Sequence, residues 1–418
     1  MIETIVKVDG MMCGMCESHV NEAVHKAFPE AKKVTSSQAK GQTVIHSEQP
    51  LDEQKLRDAI NATGYEVKGV KSASYEKKGF FSFLKKQADP NTHQGRRIGM
   101  RILVYGAGVL GCELTHVLLQ NKKNVVTLLA RGEWKEMIDQ KGLVIRHWAQ
   151  RRTTTERVKT IDALAPDDFY DLVFVVVQAG QLPDVLPVLK ANKSQYFVFV
   201  GNDPHAKQVL EYMQRPADKI AFGFQNSAGH REHGRVVSAH VGVGMTVGGA
   251  TAPLSGAFRI RLKTAFDGTK YKLTFYSDMD EWLKCHIAFI LPVCYVCYAC
   301  NGDLTRATRQ QRGAMIDAAY EACLMLKDAG IPVNDKENTD VYKPGSAGRR
   351  QVEAMVLVMA KTPLGRLCAS DHAMNAVSEM KYLDEAFEAL RRQTGTAMPM
   401  WEKLRSEMPP WETLQHQK

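Results

Sequence analysis

A buried strand that runs straight into a glycine-rich turn and a helix most constrains the fold of this 418-residue chain. The apolar run 102–105 is followed by three glycines at dinucleotide-binding spacing, and helical periodicity begins at once. The first glycine permits a tight turn, the second lets backbone approach a phosphate, and the third lets the helix pack on the strand. The amides at the start of that helix would face a pyrophosphate. The predicted cofactor-binding positions are Gly106, Ala107, Gly108, Val109, Leu110 and Gly111.

The end of the next strand, Val125–Leu129, indicates which dinucleotide binds. NAD sites usually carry Asp or Glu there for the ribose hydroxyls, whereas this chain has Arg131 and no carboxylate before Glu133. A guanidinium forms charge-assisted hydrogen bonds with a 2′-phosphate. The sequence therefore predicts NADP(H), with Arg131 in its site. The alternative is that Arg131 is a solvated surface residue.

Composition and length are those of an ordinary globular protein of two to four domains, with 44% apolar and 24% charged residues. No signal-peptide pattern is present, and the longest apolar stretch, 287–299, is interrupted by Pro292 and predicts a buried helix. Nine cysteines in such a chain indicate a reducing compartment. We expect a cytoplasmic protein with no membrane insertion. Its scattered excess of nine positive charges favours anionic small molecules rather than nucleic acid.

Residues 1–71 form a separate pattern, in which strands and helices alternate in the order βαββαβ of a ferredoxin-like fold. Cys13 and Cys16 lie on the loop that enters the first helix, where the helix N-terminus favours thiolates. Two thiolates suit Cu(I), or Zn(II) completed by ligands from a partner. A thioredoxin-like redox pair and a module without function are the alternatives.

The whole of this module resembles the heavy-metal-associated domains of copper chaperones and metal-transporting ATPases. The motif of Gly10, Cys13 and Cys16 carries the resemblance, as does Gly64-Tyr-x-Val67, although Met12 stands where that family often has Thr. The resemblance implies a metal transporter or chaperone as partner. Polar, turn-forming residues over 72–99 then predict a linker, and Met100 stands where an independent enzyme would begin.

Further strands at 170–177 and 196–200 continue the α/β pattern, whereas helical periodicity dominates from Asp280 onward. These patterns predict an α/β fold with a Rossmann-type doubly wound NADP-binding domain over 100–265. An all-helical domain over 266–418, for substrate and dimerisation, would follow. The substrate would bind where the helical domain closes the cleft at the strand ends. The sequence does not decide whether the protein forms a homodimer.

This second part, from about 100 to 405, resembles the ketopantoate reductases (2-dehydropantoate 2-reductases), NADPH-dependent enzymes of pantothenate biosynthesis. The resemblance is carried by the glycine motif, 129–132, 142–143, Asn202, 248–249, Trp282-x-Lys284, Glu321 with 329–330, Ser370 and 378–379. It implies that Lys284 is catalytic, since an ammonium beside a 2-oxo group stabilises the developing charge and can deliver the proton. It also implies a site formed by Asn202, Ser370 and Glu379 for substrate and by Asn202 and Gln178 for cofactor.

Several residues depart from this family pattern. Gln178 stands where the family generally has Lys, and Asn202-Asp203-Pro204 replaces the usual Asn-Gly turn. Ala288 and the Leu291-Pro292 pair occupy the helix face where asparagines are expected one and two turns beyond the lysine. These departures widen the prediction from ketopantoate to some related 2-oxo acid.

Two other functions remain open on the residues alone. One is a metal-delivery or metal-sensing protein whose Rossmann part binds NADP(H) without turnover. The other is a different 6-phosphogluconate-dehydrogenase-like enzyme, such as an opine-type dehydrogenase that also consumes an amine. Lys284 could then be a surface lysine, and Asn202 a turn-forming residue.

Overall fold

The computed structural model describes residues 2–9, 14–37, 41–62, 66–74, 99–239 and 243–415. The chain forms two compact units, Met1–Gly95 and Arg96–Lys418, which are described separately.

The first unit has the element order β1 (Ile2–Asp9), α1 (Gly14–Ala27), β2 (Lys33–Ser37), β3 (Gln42–Ser47), α2 (Glu53–Asn61) and β4 (Glu66–Ser74). Its antiparallel sheet has the order β2-β3-β1-β4. Alternating apolar residues of the strands, such as Val6 and Ile45, bury one face of the sheet against Val20, Leu56 and Ile60 of the two helices. Asp52 caps α2 by accepting a hydrogen bond from the Lys55 amide at 2.7 Å.

This βαββαβ order is the one predicted for the first unit. The metal site proposed for it lies outside the described residues: Cys13 is not among them, and only the backbone of Cys16 is described, in α1. Most of the predicted linker, residues 75–98, is likewise outside the described residues. Metal binding therefore stays a prediction.

The second unit begins with an α/β part. Its elements in chain order are β5 (Arg101–Tyr105), α3 (Val109–Gln120), β6 (Val125–Leu129), α4 (Gly132–Lys141), β7 (Leu143–His147), β8 (Arg152–Glu156), β9 (Lys159–Ile161), β10 (Leu172–Val175), α5 (Leu182–Ala191), β11 (Phe197–Val200), α6 (Ala206–Met213), β12 (Ile220–Gln225), β13 (Ala228–Glu232), β14 (Arg235–Ala239), β15 (Gly244–Gly248), α7 (Gly256–Ala265) and β16 (Lys272–Tyr276).

Eight of these strands form one sheet in the order β16-β15-β12-β11-β10-β5-β6-β9. Adjacent strands in this sheet pair in parallel, except that β12 and β15 pair antiparallel. Ile102 and Val104 of β5 face a core shared with α3 and α7, whereas Leu103 and Tyr105 face a core shared with α5 and α6. Because both faces are covered, the strands read as continuous apolar runs. The predicted Rossmann-type, doubly wound sheet is confirmed.

The sheet extends further along the chain than predicted. Lys272–Tyr276 alternates polar and apolar residues and pairs in parallel with Gly244–Gly248, in a region expected to be helical from residue 266. A strand there covers the edge that β15 would otherwise expose. The helical part therefore begins only at Met279.

The helices of this part are α8 (Met279–Ala299), α9 (Arg309–Asp328), α10 (Thr339–Tyr342), α11 (Ala347–Lys361), α12 (Pro363–Gly365), α13 (Asp371–Asn375), α14 (Val377–Thr394), α15 (Pro399–Glu407) and α16 (Trp411–Gln415). Within the described ranges, α8 alone is long and apolar enough to cross a membrane, and 78% of its apolar window is buried. It packs on α9, α14 and α15 at the centre of the helical core. Residues 287–299 are therefore a buried helix, as predicted.

Candidate active site

The glycine-rich turn between β5 and α3 is shaped for a ligand. Gly106 has φ +118°, and a side chain there would collide with the carbonyl of Val176, the residue after the neighbouring strand β10. A side chain at Gly111 would collide with the carbonyl of Gly106, whereas Gly108 faces open space. Gly108 is also the N-cap of α3, and because glycine has no side chain, no side-chain group caps the first amides of this helix. The first amides of α3 are therefore available to an anion.

A cavity of about 570 Å³ opens over this turn, a size typical of ligand sites. Five of the predicted cofactor residues line it, namely Gly106, Ala107, Gly108, Arg131 and Gln178. Val109, Leu110 and Gly111 form the first turn of α3 and are not part of the lining. Asn375 and Ser378, from the helical part, close the cavity on another side.

Two arginines reach this cavity. Arg131 is exposed, and its guanidinium donates to the Tyr105 hydroxyl at 3.2 Å and to the carbonyl of Asp162 at 3.4 Å. Arg231 comes from β13, and its guanidinium carbon lies 5.4 Å from the ring centroid of Trp134. Arg231 was missed from the sequence, since it follows the glycine motif by more than a hundred residues and belongs to no motif.

The predicted catalytic lysine occupies a buried corner at the start of α8. Lys284 pairs through its ammonium with Asp280, one helical turn earlier, and the side chains are 9% and 2% exposed. The second carboxylate oxygen of Asp280 lies 3.3 Å from the ammonium of Lys207, at the start of α6. Lys284 is therefore not the surface lysine of the alternative interpretation. The sequence identified neither Asp280 nor Lys207.

Asn202 and Glu379, 177 positions apart in the sequence, meet beside this corner. The Asn202 side-chain amide donates to Glu379 at 3.5 Å, and the amide of Ala179 also donates to this carboxylate. Burial raises the pKa of Glu379 to about 7, although both hydrogen bonds act to lower it. The Asn202 carbonyl oxygen is buried and has no protein partner within the described ranges. It is therefore available to a ligand.

Asp203, which the sequence marked only as a departure from a family pattern, is buried at the same edge of the sheet. One of its oxygens accepts from the amide of His205 at 2.8 Å, and the other has no protein partner in the described part of the chain. Burial raises the pKa of Asp203 to about 6, and the nearby ammonium of Lys284 opposes this rise. The corner thus carries two cations and three carboxyl groups.

Ser370 does not join this group. It ends a π-helical turn, Arg366–Ser370, which places its side chain in the helical core at 1% exposure. Its hydroxyl accepts from the amide of Leu304 at 3.3 Å and bonds with Cys297 near the end of α8. These contacts support a structural role. Ser378, beside Glu379, is the serine that lines the cavity.

Comparison with known proteins gives a family match over part of the second unit. Residues 102–251 match the family described as Ketopantoate reductase PanE/ApbA. No curated protein matches the chain significantly.

Solved structures share the fold of the second unit. They include D-mandelate dehydrogenase with NADH and anilino(oxo)acetate, at 15% identity and TM-score 0.60 over 76% of this chain and 98% of that one. The 2-dehydropantoate 2-reductase of Geobacter metallireducens GS-15 has 17% identity and TM-score 0.58, over 74% of this chain and 98% of its own. That of Methylococcus capsulatus has 15% identity and TM-score 0.56, over 73% and 95%. Residues 102–251 thus match the ketopantoate reductase family model, and the second unit has the fold of these solved structures.

Proposed function

We propose that the second unit is an NADPH-dependent oxidoreductase that reduces a 2-oxo acid to the 2-hydroxy acid. The observation that carries this proposal is the buried Lys284–Asp280 pair beside Asn202 and Glu379, at the edge of the sheet that also holds the glycine-rich turn. The domain match at 102–251 supports the same reaction class. Among 2-oxo acids, 2-dehydropantoate is the first substrate to test.

The residues present fit a nicotinamide dinucleotide. The uncapped start of α3 can take the pyrophosphate, and the open space at Gly108 lets the ligand lie on the backbone. The unpartnered oxygen of Asn202 can accept from an amide or a ribose hydroxyl at the nicotinamide end. At the end of β6, where NAD sites carry a carboxylate, this chain has Arg131 instead. A guanidinium at this position favours the 2′-phosphate of NADP(H).

The chemistry follows from the charges of the buried corner. When bound, the reduced nicotinamide supplies a hydride to the carbonyl carbon of the substrate. Lys284 holds its ammonium where negative charge grows on the carbonyl oxygen, stabilises that charge and can give up the proton that completes the hydroxyl. Asp280 keeps the ammonium in place. Burial excludes the water that would weaken these interactions.

Glu379 positions the other side of the site. A carboxyl group whose pKa is about 7 is partly protonated at neutral pH, so it can donate as well as accept. Its contact with Asn202 links the helical part to the end of β11. We propose that Asn202 and Glu379 orient the substrate and the nicotinamide, and that Gln178 lines the cofactor cleft without supplying a cation.

The test is NADPH oxidation by the full chain with a panel of 2-oxo acids, 2-dehydropantoate included, with and without amino acids. Lys284→Ala should lower kcat by at least about a hundredfold while NADPH still binds, as expected for an acid and electrostatic catalyst. NADPH binding without oxidation by any panel member would favour a non-catalytic NADP(H)-binding protein. Oxidation only when an amino acid is added would favour an opine-type dehydrogenase.

For the first unit, we propose binding of a soft metal ion, Cu(I) or Zn(II), by Cys13 and Cys16. The βαββαβ order supports this, and so does the position of Cys16 in the first turn of α1, where a helix N-terminus favours a thiolate.

A further inference from the structure

The hairpin of β13 and β14 supplies the cofactor cleft with a second guanidinium, that of Arg231. Arg231 pairs with Val236 across the hairpin, one residue pair from its turn. The turn residues His233 and Gly234 have φ +43° and +77°, which gives the tight two-residue connection of a rigid hairpin. A side-chain carbon on Gly234 would lie 3.2 Å from the sulfur of Met137, so the hairpin tip rests against α4. The position of Arg231 is therefore set by the backbone.

The contact with Trp134 shows which part of the cleft Arg231 faces. Trp134 follows Arg131 by three residues, and its indole N–H donates to the carbonyl of Ala107 at 2.9 Å. This bond ties α4 to the glycine-rich turn. The guanidinium of Arg231 lies over the indole ring, 5.4 Å from its centroid. Arg231 thus stands above the residues that follow β6, on the side of the cleft where Arg131 lies.

A cleft that binds NADP(H) has separate positions for the pyrophosphate and for the 2′-phosphate. The pyrophosphate belongs at the first amides of α3, whereas a 2′-phosphate on the adenosine ribose belongs beside the end of β6. Arg131 is the second residue after β6, and Trp134 is in the first turn of the helix that follows. The side chain that stacks on Trp134 is therefore near the ribose phosphate.

The charges of the hairpin support an anion site. Within the described ranges, no carboxylate forms an ion pair with Arg131 or Arg231, although both are exposed. Arg235, four residues from Arg231 on the same hairpin, is neutralised by Glu232 at 2.7 Å. Two guanidinium groups without a counter-ion on one cleft are suited to a dianionic phosphate.

We propose that Arg231 and Arg131 together bind the 2′-phosphate of NADP(H), with Trp134 holding Arg231 in place. The inference rests on the proposed use of NADP(H) and adds a residue to it. It makes the hairpin, rather than the end of β6 alone, a determinant of cofactor choice.

Calorimetry with 2′,5′-ADP and 5′-AMP tests this directly, because the two ligands differ only in the 2′-phosphate. In the full chain, Arg231→Gln should weaken 2′,5′-ADP binding about ten- to a hundredfold, as for loss of a charge-assisted hydrogen bond, and leave 5′-AMP binding unchanged. Arg235→Gln is the matched control, and it should change neither affinity. Arg231→Lys, which keeps the charge but loses the planar fork, should lie between wild type and Arg231→Gln.

The outcomes separate this inference from the proposed function. Equal weakening of both ligands would place Arg231 at the 5′-phosphate, which is part of the pyrophosphate in the full cofactor, and overturn the inference. Unchanged 2′,5′-ADP binding in a variant with wild-type melting temperature would also overturn it, while leaving the reductase proposal intact. A wild-type chain that binds 5′-AMP as tightly as 2′,5′-ADP would overturn both the inference and the NADP(H) preference.

Discussion

Replacing the buried carboxyl of Glu379 with an amide should make the second unit more stable, and increasingly so as the pH rises from 4.5 to 7. Burial raises the pKa of Glu379 from an ordinary 4.5 to about 7. Below pH 4.5 the carboxyl is protonated in both the folded and unfolded states, so folding carries no ionisation cost. Between pH 4.5 and 7 the unfolded chain ionises first, and folded-state stability falls as pH rises.

The size of this effect follows from the shift. At 1.36 kcal/mol per pKa unit, a shift of this size costs about 3 kcal/mol of folding free energy above pH 7. Glu379→Gln removes that cost and preserves the acceptor for the Asn202 amide. The difference in unfolding free energy between variant and wild type should therefore grow by about 3 kcal/mol from pH 4.5 to 7 and stay constant above it.

Urea unfolding followed by tryptophan fluorescence measures this, because all five tryptophans of the chain lie in the second unit. Glu133→Gln, which removes a carboxyl from the surface of α4, controls for the change in net charge. A Glu379→Gln difference that does not vary with pH would refute the reasoning from burial.

Three further outcomes are expected. Asp280→Asn should destabilise the second unit by about 3 kcal/mol in urea, because Lys284 would keep a buried charge without its partner, and Asp280→Asn with Lys284→Met should recover part of this loss. Replacing either Cys13 or Cys16 with Ser should abolish tight Cu(I) binding in a competition titration, whereas a retained affinity would place the ion elsewhere. Residues 100–418 alone should fold, bind NADPH and keep their specific activity; an insoluble product would show that the enzyme needs the first unit.

Local sequence was enough to predict the scaffold of the cofactor cleft. The strand, glycines and helix of 101–120 obey spacing rules that act over a few residues, so Gly106 and Gly111 lie where predicted. The apolar runs at 172–175 and 197–200 likewise form central strands. The edge strand at 272–276 was missed, because its short alternating pattern is weak beside the helical periodicity that follows.

The corner around Lys284 could be predicted only in part. Lys284, Asn202 and Glu379 were found through a family resemblance, and the structure brings the last two together. The pairing of Lys284 with Asp280 is a contact one turn apart on a helix, but whether it is buried depends on how the helical part packs against the sheet. No local pattern reports that packing.

Ser370 was predicted to be in the site and lies outside it, whereas Arg231 was not predicted and lines the cleft. Ser370 has the residue type expected of a substrate contact, yet a π-helical turn directs it into the helical core. Arg231 belongs to no motif, yet a tight hairpin turn sets it over Trp134 in the cleft. In both cases the backbone geometry of a short segment decides where the side chain lies.

The central claim is that this chain transfers a hydride from NADPH to the carbonyl carbon of a 2-oxo acid. Incubation with NADPH that carries deuterium at both C4 positions of the nicotinamide, followed by chiral chromatography and mass spectrometry of the product, measures that transfer directly. We expect a 2-hydroxy acid labelled at C2 as a single enantiomer, and its formation should be lost in Lys284→Ala. NADPH that binds but gives no labelled product with any 2-oxo acid would contradict the account.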